Sequence, residues 1–190
     1  KMTQEHKVAL FCSLQSESPS QNDHVSWKAQ QGKVFLEPPS LRREFPQPFT
    51  HYAPMVQEYC LQQEPIFLHC AIEDLNVPES QEPLERLLLD LLDYIIVTSQ
   101  KQEENAMYLH CWGGRGRGGL VGACLLSLLW PALTSQEILE WIQRGYATRV
   151  GHEKMPRALS QSPQTAAQRD FVHRVVQRHQ GWHETSSSSQ

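Results

Sequence analysis

The sequence predicts an α/β domain with a central, mixed and mostly parallel sheet that is flanked by helices. Short apolar runs alternate along the chain with longer segments whose apolar residues recur at helical spacing. Such alternation is typical of chains in which helices cover a parallel sheet. The chain has 190 residues, of which 39% are hydrophobic, so it is long enough to bury a full core.

The first half of the chain predicts three strands and one long helix. The strands lie over 7–14, 33–36 and 66–70, and a polar stretch rich in Ser, Gln and Asn separates the first two. Several prolines then punctuate the approach to a turn at Tyr52. The helix follows Pro83, and because its leucines recur at helical spacing we expect them in the core.

The second half predicts one strand followed by three helices. The strand covers 106–110. The helices cover 117–130, 134–146 and 164–178, give or take a residue or two at each end.

We expect a single domain over 1–180. Within it, the stretch 1–45 is poorly assigned apart from its two short strands. From 181 to 190 the chain is polar and ends in serines and a glutamine, which predicts a disordered tail.

A cysteine and an arginine enclose a glycine-rich loop between the predicted strand at 106–110 and the helix that follows it. Five residues separate Cys111 from Arg117, and three of the five are glycines. Glycines allow successive backbone N–H groups to form a concave nest for an anion, and a helix N-terminus adds partial positive charge. The planar fork of the arginine can grip two phosphate oxygens. A cysteine in such a cradle is expected to ionise easily and to act as a nucleophile.

Three segments resemble the cysteine-dependent protein tyrosine and dual-specificity phosphatases, and they stand in the order of that family. The first is the signature of His and Cys followed, after five residues, by Arg, which stands here at 110–117. Upstream, 72–78 is similar to the family's mobile general-acid segment, with Asp74 in the acid's position. Downstream, 162–171 is similar to the glutamine loop that positions water.

The resemblance implies a role for each of these residues. Cys111 would attack phosphorus, and Arg117 would hold the phosphate oxygens. Asp74 would protonate the leaving group, and Gln164 would orient the hydrolytic water. The resemblance also implies a phosphatase-like fold and a phosphoric monoester hydrolase that needs neither a metal nor another cofactor. The substrate-binding residues that it implies are Trp112, Gly113, Gly114, Arg115, Gly116, Gly118 and Gln168.

The sequence departs from the family immediately after the arginine. The family usually has Ser or Thr there, whose hydroxyl stabilises the departing thiolate, whereas Gly118 stands here and is followed by Gly119. The missing hydroxyl is expected to slow breakdown of the intermediate more than it affects binding. An inactive or weakly active phosphate-binding module is therefore a second hypothesis. The joint presence of Cys111, Arg117 and Asp74 favours activity.

Three other site classes explain the sequence less well. The run 114–119 also satisfies G-x-G-x-x-G, but a dinucleotide fold needs an acidic ribose partner on a second strand, and Glu137 and Glu140 lie in a predicted helix. No Lys followed by Ser or Thr ends the glycine run, so a triphosphate-binding loop is not indicated. The His-Cys pairs at 69–70 and 110–111 lack the short paired spacings of structural zinc.

The site residues also have purely structural interpretations. Cys111 fits a small buried hydrophobe, and Asp74 fits a solvated turn residue. Gln164 and Gln168 fit the polar side of a C-terminal helix. His110 fits a structural hydrogen-bond partner of the loop better than a catalytic base, because a thiolate of low pKa needs no base.

The composition restricts the partners and the compartment. The net charge is −4 with the histidines neutral, so general binding to nucleic acid or to a membrane surface is not expected. Five cysteines, an odd number without framework spacing, favour free thiols, a reducing compartment and a cytoplasmic location. No apolar run reaches the roughly 18 residues of a membrane span, and no signal-peptide pattern stands at the N-terminus. Nothing in the sequence indicates an oligomeric state.

The expected substrate is a phosphotyrosine or phosphoserine/threonine protein. The tyrosine-specific branch of the family carries a pocket segment of the type Lys-Asn-Arg-Tyr, which is absent here, so the chain resembles the dual-specificity-like branch. Arg115 stands where members that act on lipid or inositol phosphates often have a basic residue. A phosphoinositide or inositol phosphate is therefore the alternative substrate. The alternative interpretation of Arg115 is a solvated side chain that raises the potential of the loop.

Overall fold

A computed structural model gives the fold of the chain and describes residues 7–16, 33–34, 49–50, 52–59, 64–101, 106–156 and 159–187. Much of the stretch 1–45 that the sequence left unassigned lies outside these residues. In chain order the elements are β1 (Val8–Gln15), β2 (Lys33–Val34), β3 (Phe49–Thr50), α1 (Ala53–Tyr59), β4 (Ile66–Ile72), α2 (Gln81–Gln100), β5 (Ala106–His110), α3 (Arg117–Leu129), α4 (Ser135–Ala147), a short 3₁₀ turn (His152–Lys154) and α5 (Ala166–Ser187).

The chain divides into two compact units. The first is formed by Lys1–Asp74 and Tyr94–Trp112, and the second by Leu75–Asp93 and Gly113–Gln190. Helix α2 contributes to both, since the division falls between Asp93 and Tyr94.

A three-stranded parallel sheet in the order β4-β1-β5 forms the first unit's core. The central strand β1 is buried from Val8 to Leu14 because it has a parallel neighbour on each side, and its sequence is accordingly a nearly continuous apolar run. Phe11 of this strand stacks on Phe67 of β4 with the ring centroids 5.8 Å apart, and Ala53 of α1 packs into the same cluster. The short strands β2 and β3 pair with each other in an antiparallel ladder.

Packed helices form the core of the second unit. Helices α3, α4 and α5 contact one another in all three pairings. Their buried side chains lie at helical spacing, as in Leu120, Val121 and Cys124 of α3. A capping box at the start of α4 fixes that helix end, because Thr134 Oγ1 accepts from the N–H of Glu137 while the Glu137 carboxylate accepts from the N–H of Thr134.

The α/β class that the sequence predicted is confirmed. The predicted strand at 106–110 coincides with β5, and the helices predicted at 117–130 and 134–146 match α3 and α4 to within one residue at each end. Among the described residues, none of the helices combines the length and the apolar character needed to cross a lipid bilayer.

Three elements differ from the sequence-based expectation, and the first is the short strand β3 at Phe49–Thr50, where the sequence predicts no strand. Helix α1 begins at Ala53, where the prolines suggested a turn, because Pro54 lies in the first helical turn and a proline is tolerated there. Helix α5 continues through Gly181, where the tail was expected to begin, and ends at Ser187. A single glycine costs a helix about 1 kcal/mol relative to alanine, which does not by itself end it. The last residues of the expected tail, 188–190, lie outside the described part of the chain.

Candidate active site

Two strands of the parallel sheet end beside the predicted nucleophile and the predicted acid. Strand β5 ends immediately before Cys111, and β4 ends shortly before Asp74. Both strands run parallel to β1, whose Ser13 is paired with His69 on one side and with His110 on the other. The carboxyl ends of parallel strands meet at one edge of a sheet, which is the usual place for a ligand in α/β folds. The first unit therefore places Asp74 and Cys111 at the same edge.

The residues at this edge differ in their exposure. Cys111 is buried, with 8% of its surface exposed, whereas the indole of Trp112 is 47% exposed. Asp74 is exposed and lies in a turn, and the next residue, Leu75, has a φ of 64°. This left-handed conformation is uncommon for a leucine, so the turn holds its backbone in a sparsely populated geometry. The carboxyl group of Asp74 is thus accessible to solvent.

A hydrogen bond between Tyr52 and His110 fixes the end of β5. Tyr52 Oη lies 2.9 Å from His110 Nε2, and the two rings pack edge to face. Burial lowers the pKa of His110, and a hydrogen bond with the backbone of Cys111 opposes part of this shift. Burial also raises the pKa of the Tyr52 phenol. Both groups are neutral at pH 7, which supports a structural interpretation of His110.

The glycine-rich loop leads directly into helix α3, as the sequence predicted. Arg117 is the first residue of α3, and 1% of its surface is exposed. Gly116 is the N-cap of the helix and has no side chain to bond the N–H groups of the first turn. The positive end of a helix and a buried guanidinium together produce a positive local potential. This potential suits a phosphate group.

Two side chains that the sequence analysis did not identify contact the loop from distant parts of the chain. Arg149 donates through Nη1 to the carbonyl oxygen of Gly113 at 2.6 Å and through Nη2 to that of Gly114 at 3.4 Å. Ser162 Oγ donates to the carbonyl oxygen of Arg115 at 2.7 Å. No motif or local spacing in the sequence predicts these contacts. They are long-range contacts that depend on the path of the chain after α4.

Gln168 organises the glutamine loop. Its side chain is fully buried, and its Oε1 accepts from the backbone N–H groups of Gln164 at 3.1 Å and Thr165 at 3.2 Å. Its Nε2 donates to the carbonyl oxygen of Asn76 at 3.0 Å, and Thr165 Oγ1 donates to that of Leu75 at 3.3 Å. The glutamine loop is therefore bonded to the residues that follow the candidate acid. A contact of Gln168 with substrate stays a prediction.

The glutamine loop also lies against the glycine-rich loop between Cys111 and Arg117, which we call the phosphate loop. A Cβ atom added to Gly116 would lie 3.0 Å from Gln168 Oε1 and 3.3 Å from Gln164 Cβ. A side chain at position 116 would therefore press on both glutamines. The second unit thus brings Gly116, Gln164 and Gln168 together.

The two glycines after Arg117 occupy different surroundings. Gly118 lies in the first turn of α3, so its backbone is helical, and the residue is half-buried. Gly119 is buried, and a Cβ atom added to it would collide with Ser162 Oγ and touch Pro163. The helical backbone of Gly118 is compatible with a residue that carries a hydroxyl, whereas a side chain at position 119 would displace the Ser162 hydroxyl.

Two other cysteines of the described chain, Cys70 and Cys124, are poor candidates for the nucleophile. Burial raises the pKa of Cys70 to about 11 and that of Cys124 to about 12. Both therefore stay protonated at neutral pH. His69, next to Cys70, has its Nε2 2.8 Å from the carbonyl oxygen of Gln15. In the part of the chain that the structure describes, no three or more His, Cys, Asp or Glu side chains are grouped to hold a metal ion.

Comparison with known proteins identifies the family. The family model described as the Swiss Army Knife protein, DSP-PTPase phosphatase domain, matches residues 49–172, which is more than half of the chain and includes Asp74, Cys111, Arg117 and Gln164. No curated protein matches the chain. Among solved structures, the crystal structure of Tk-PTP in the active form is similar, with a TM-score of 0.48 and 18% sequence identity over 90% of this chain and 80% of that chain. By the match to its model, the chain belongs to the Swiss Army Knife family of DSP-PTPase phosphatase domains.

Proposed function

We propose that this phosphatase domain hydrolyses phosphate monoesters through a cysteinyl-phosphate intermediate on Cys111. The observation that carries the proposal is the loop that begins at Cys111, on the carboxyl edge of a parallel sheet, and ends at the buried Arg117, the first residue of α3. A nucleophile at one end of such a loop and a guanidinium at the other suit attack on a bound phosphate.

In the first step, the Cys111 thiolate attacks phosphorus in line with the leaving group. The S–P bond forms as the P–O bond to the leaving group breaks. The loop N–H groups and Arg117 hold the three equatorial oxygens, over which the transition state spreads its charge. Asp74 gives a proton to the leaving oxygen as this bond breaks.

In the second step, water attacks the cysteinyl-phosphate. The Asp74 carboxylate accepts a proton from this water, and Gln164 orients it. The S–P bond breaks, inorganic phosphate is released, and Cys111 returns to the thiolate. Asp74 is again protonated, so the enzyme is ready for another turnover.

The proposed substrates are phosphotyrosine or phosphoserine/threonine proteins. The exposed indole of Trp112 directly follows the nucleophile and offers apolar surface to a peptide. Arg115, which is half-buried within the loop, supports a second candidate, an inositol phosphate or phosphoinositide, because a second anionic group would gain from its charge.

The test compares Cys111→Ser with the parent on an aryl phosphate, phosphotyrosine and phosphoserine/threonine peptides, and a soluble phosphoinositide. The parent is expected to turn over at least one of them, and Cys111→Ser is expected to have no activity while still binding phosphate. Cys70→Ala is the matched control, since it removes another buried thiol from the same sheet. Hydrolysis by Cys111→Ser at the parent rate would exclude the thiolate mechanism. Phosphate binding without turnover by the parent would support the weakly active binding module.

A further inference from the structure

Three consecutive carbonyl groups of the phosphate loop are bonded to side chains from elsewhere in the second unit. They belong to Gly113 and Gly114, which accept from Arg149, and to Arg115, which accepts from Ser162. These three bonds fix the orientation of the three peptide planes that carry the carbonyl groups.

The direction of these carbonyl groups determines the direction of the neighbouring N–H groups. In a planar trans peptide, the C=O of one residue and the N–H of the next point to opposite sides. Bonds to the carbonyl oxygens of residues 113, 114 and 115 therefore turn the N–H groups of residues 114, 115 and 116 away from Arg149 and Ser162. Three successive N–H groups on one side of a loop form a nest for an anion.

We propose that Arg149 and Ser162 are positioning residues that create the anion-binding form of the phosphate loop. This inference rests on the proposed function, since it assigns the bound anion to the phosphate of the substrate. Neither side chain needs to touch the substrate. Both act through the peptide groups of the loop.

Arg149 is well placed to hold the loop rigidly. Its guanidinium lies over the ring of Tyr146, 4.6 Å from the centroid, and this contact restricts the rotamers of an otherwise exposed side chain. The ring of Tyr146 is itself buried, and its hydroxyl donates to the carbonyl oxygen of Leu159 at 3.3 Å. At Gly114, φ is +62° and a Cβ atom would collide with the Arg149 guanidinium. Glycine at 114 thus permits both the backbone turn and the approach of the arginine.

Ser162 is fixed by its own surroundings as well. It is buried, and its backbone N–H donates to Gln143 Oε1 of α4 at 2.9 Å. Its hydroxyl occupies the space that a side chain at Gly119 would fill. A glycine at position 119 therefore leaves room for the Ser162 hydroxyl to reach the loop.

The test measures binding of inorganic phosphate to Cys111→Ser protein, so that catalysis does not enter the result. Arg149→Met keeps the length of the side chain without its donors, and we expect it to weaken phosphate binding about tenfold, since it removes charge-assisted hydrogen bonds. Ser162→Ala removes one neutral bond and is expected to weaken binding by a few-fold. In the Cys111→Ser protein, phosphate should shift the amide NMR signals of Gly114, Arg115 and Gly116. These shifts should be smaller when Arg149→Met or Ser162→Ala is added.

Two further variants separate positioning from simple attraction by charge. Arg144→Met removes an exposed arginine of α4 that is paired with Glu140, and phosphate binding should be unchanged. Arg149→Lys keeps the charge but cannot fork over two carbonyl groups, and its affinity should stay well below that of the parent. Full affinity in Arg149→Lys, or parent-like affinity in both Arg149→Met and Ser162→Ala, would overturn the inference. Failure of the Cys111→Ser parent to bind phosphate would instead overturn the proposed function.

Discussion

The two units of this phosphatase domain use different means to place the residues that we propose act in catalysis. In the first unit, Asp74 and Cys111 simply follow the ends of two parallel strands, so the sheet itself brings them to one edge. In the second unit, Arg149 and Ser162 donate hydrogen bonds to backbone carbonyl groups of the phosphate loop, and we propose that these bonds set its shape. The first arrangement depends on strand register, and the second depends on individual hydrogen bonds.

This difference has a consequence for mutation. A residue at a strand end can be replaced without loss of the strand, so its substitution should remove one chemical group and little else. A residue that bonds the loop affects several peptide groups together, so its loss should alter binding and rate in parallel. The following predictions test the two units in these terms, beginning with the largest effect.

Replacement of Asp74 tests whether the first unit supplies the acid. For a substrate with a poor leaving group, Asp74→Ala should reduce kcat by about 100-fold or more, which is the usual contribution of general acid catalysis. For an activated aryl phosphate the loss should be much smaller, because that leaving group departs without a proton. Steady-state kinetics on a series of leaving groups measures the difference.

Glu73→Gln is the matched control for this prediction, since Glu73 is an exposed acid next to Asp74. It should leave the dependence on leaving group unchanged. Equal losses on both substrate types in Asp74→Ala would show that Asp74 is not the acid. Its place at the strand end would then have a structural explanation only.

Substitution of Gly118 tests a position of the second unit that belongs to the helix instead of the loop. If the absent hydroxyl makes breakdown of the intermediate slow, rapid mixing of the parent with an aryl phosphate should show a burst of about one equivalent of leaving group per enzyme. Gly118→Ser should raise the steady-state rate several-fold and reduce the burst. The helical backbone at this position allows the substitution.

Gly118→Ala separates the hydroxyl from the added Cβ atom. It should stabilise the first turn of α3 slightly and leave the rate of the parent unchanged. No burst in the parent, together with no gain in Gly118→Ser, would show that another group supports the departing thiolate.

The residues that follow strand ends were predictable from sequence, and those that bond the loop were not. The strand at 106–110, the loop and the start of α3 follow from apolar periodicity and glycines, which act locally. Arg149 lies 36 residues from Gly113, and Ser162 lies 47 residues from Arg115. Their contacts depend on the path of the chain after α4. Neither apolar periodicity nor motif spacing predicts that path.

Helix α1 and the extent of α5 illustrate the same limit. At Pro54 the sequence predicts a turn, because local propensity does not distinguish a proline in a first helical turn from one in a loop. At Gly181 the sequence predicts the start of a tail, although a helix packed along its earlier turns can continue through one glycine. In both cases the packing of the whole helix, and not the identity of a single residue, determines where the helix begins or ends.

The smallest effect concerns the pH dependence of stability, and it tests the sheet edge of the first unit. The pKa of His110 is below its ordinary value of 6.5 in the folded state because of burial, whereas in the unfolded chain the imidazole titrates near that ordinary value. As the pH falls below about 6.5, the unfolded state binds a proton that the folded state resists. The contribution of His110 to stability is therefore fully present above this pH and is lost as the pH falls toward its folded-state pKa.

Urea unfolding of the parent and of His110→Gln at pH 8 and pH 5.5 measures this contribution, and the loss of stability between the two pH values should be smaller in the variant. The glutamine amide can still bond Tyr52 Oη, so the two proteins differ mainly in the titrating group. An equal pH dependence in both would show that the imidazole at the end of β5 accepts a proton as readily in the folded chain as in the unfolded one.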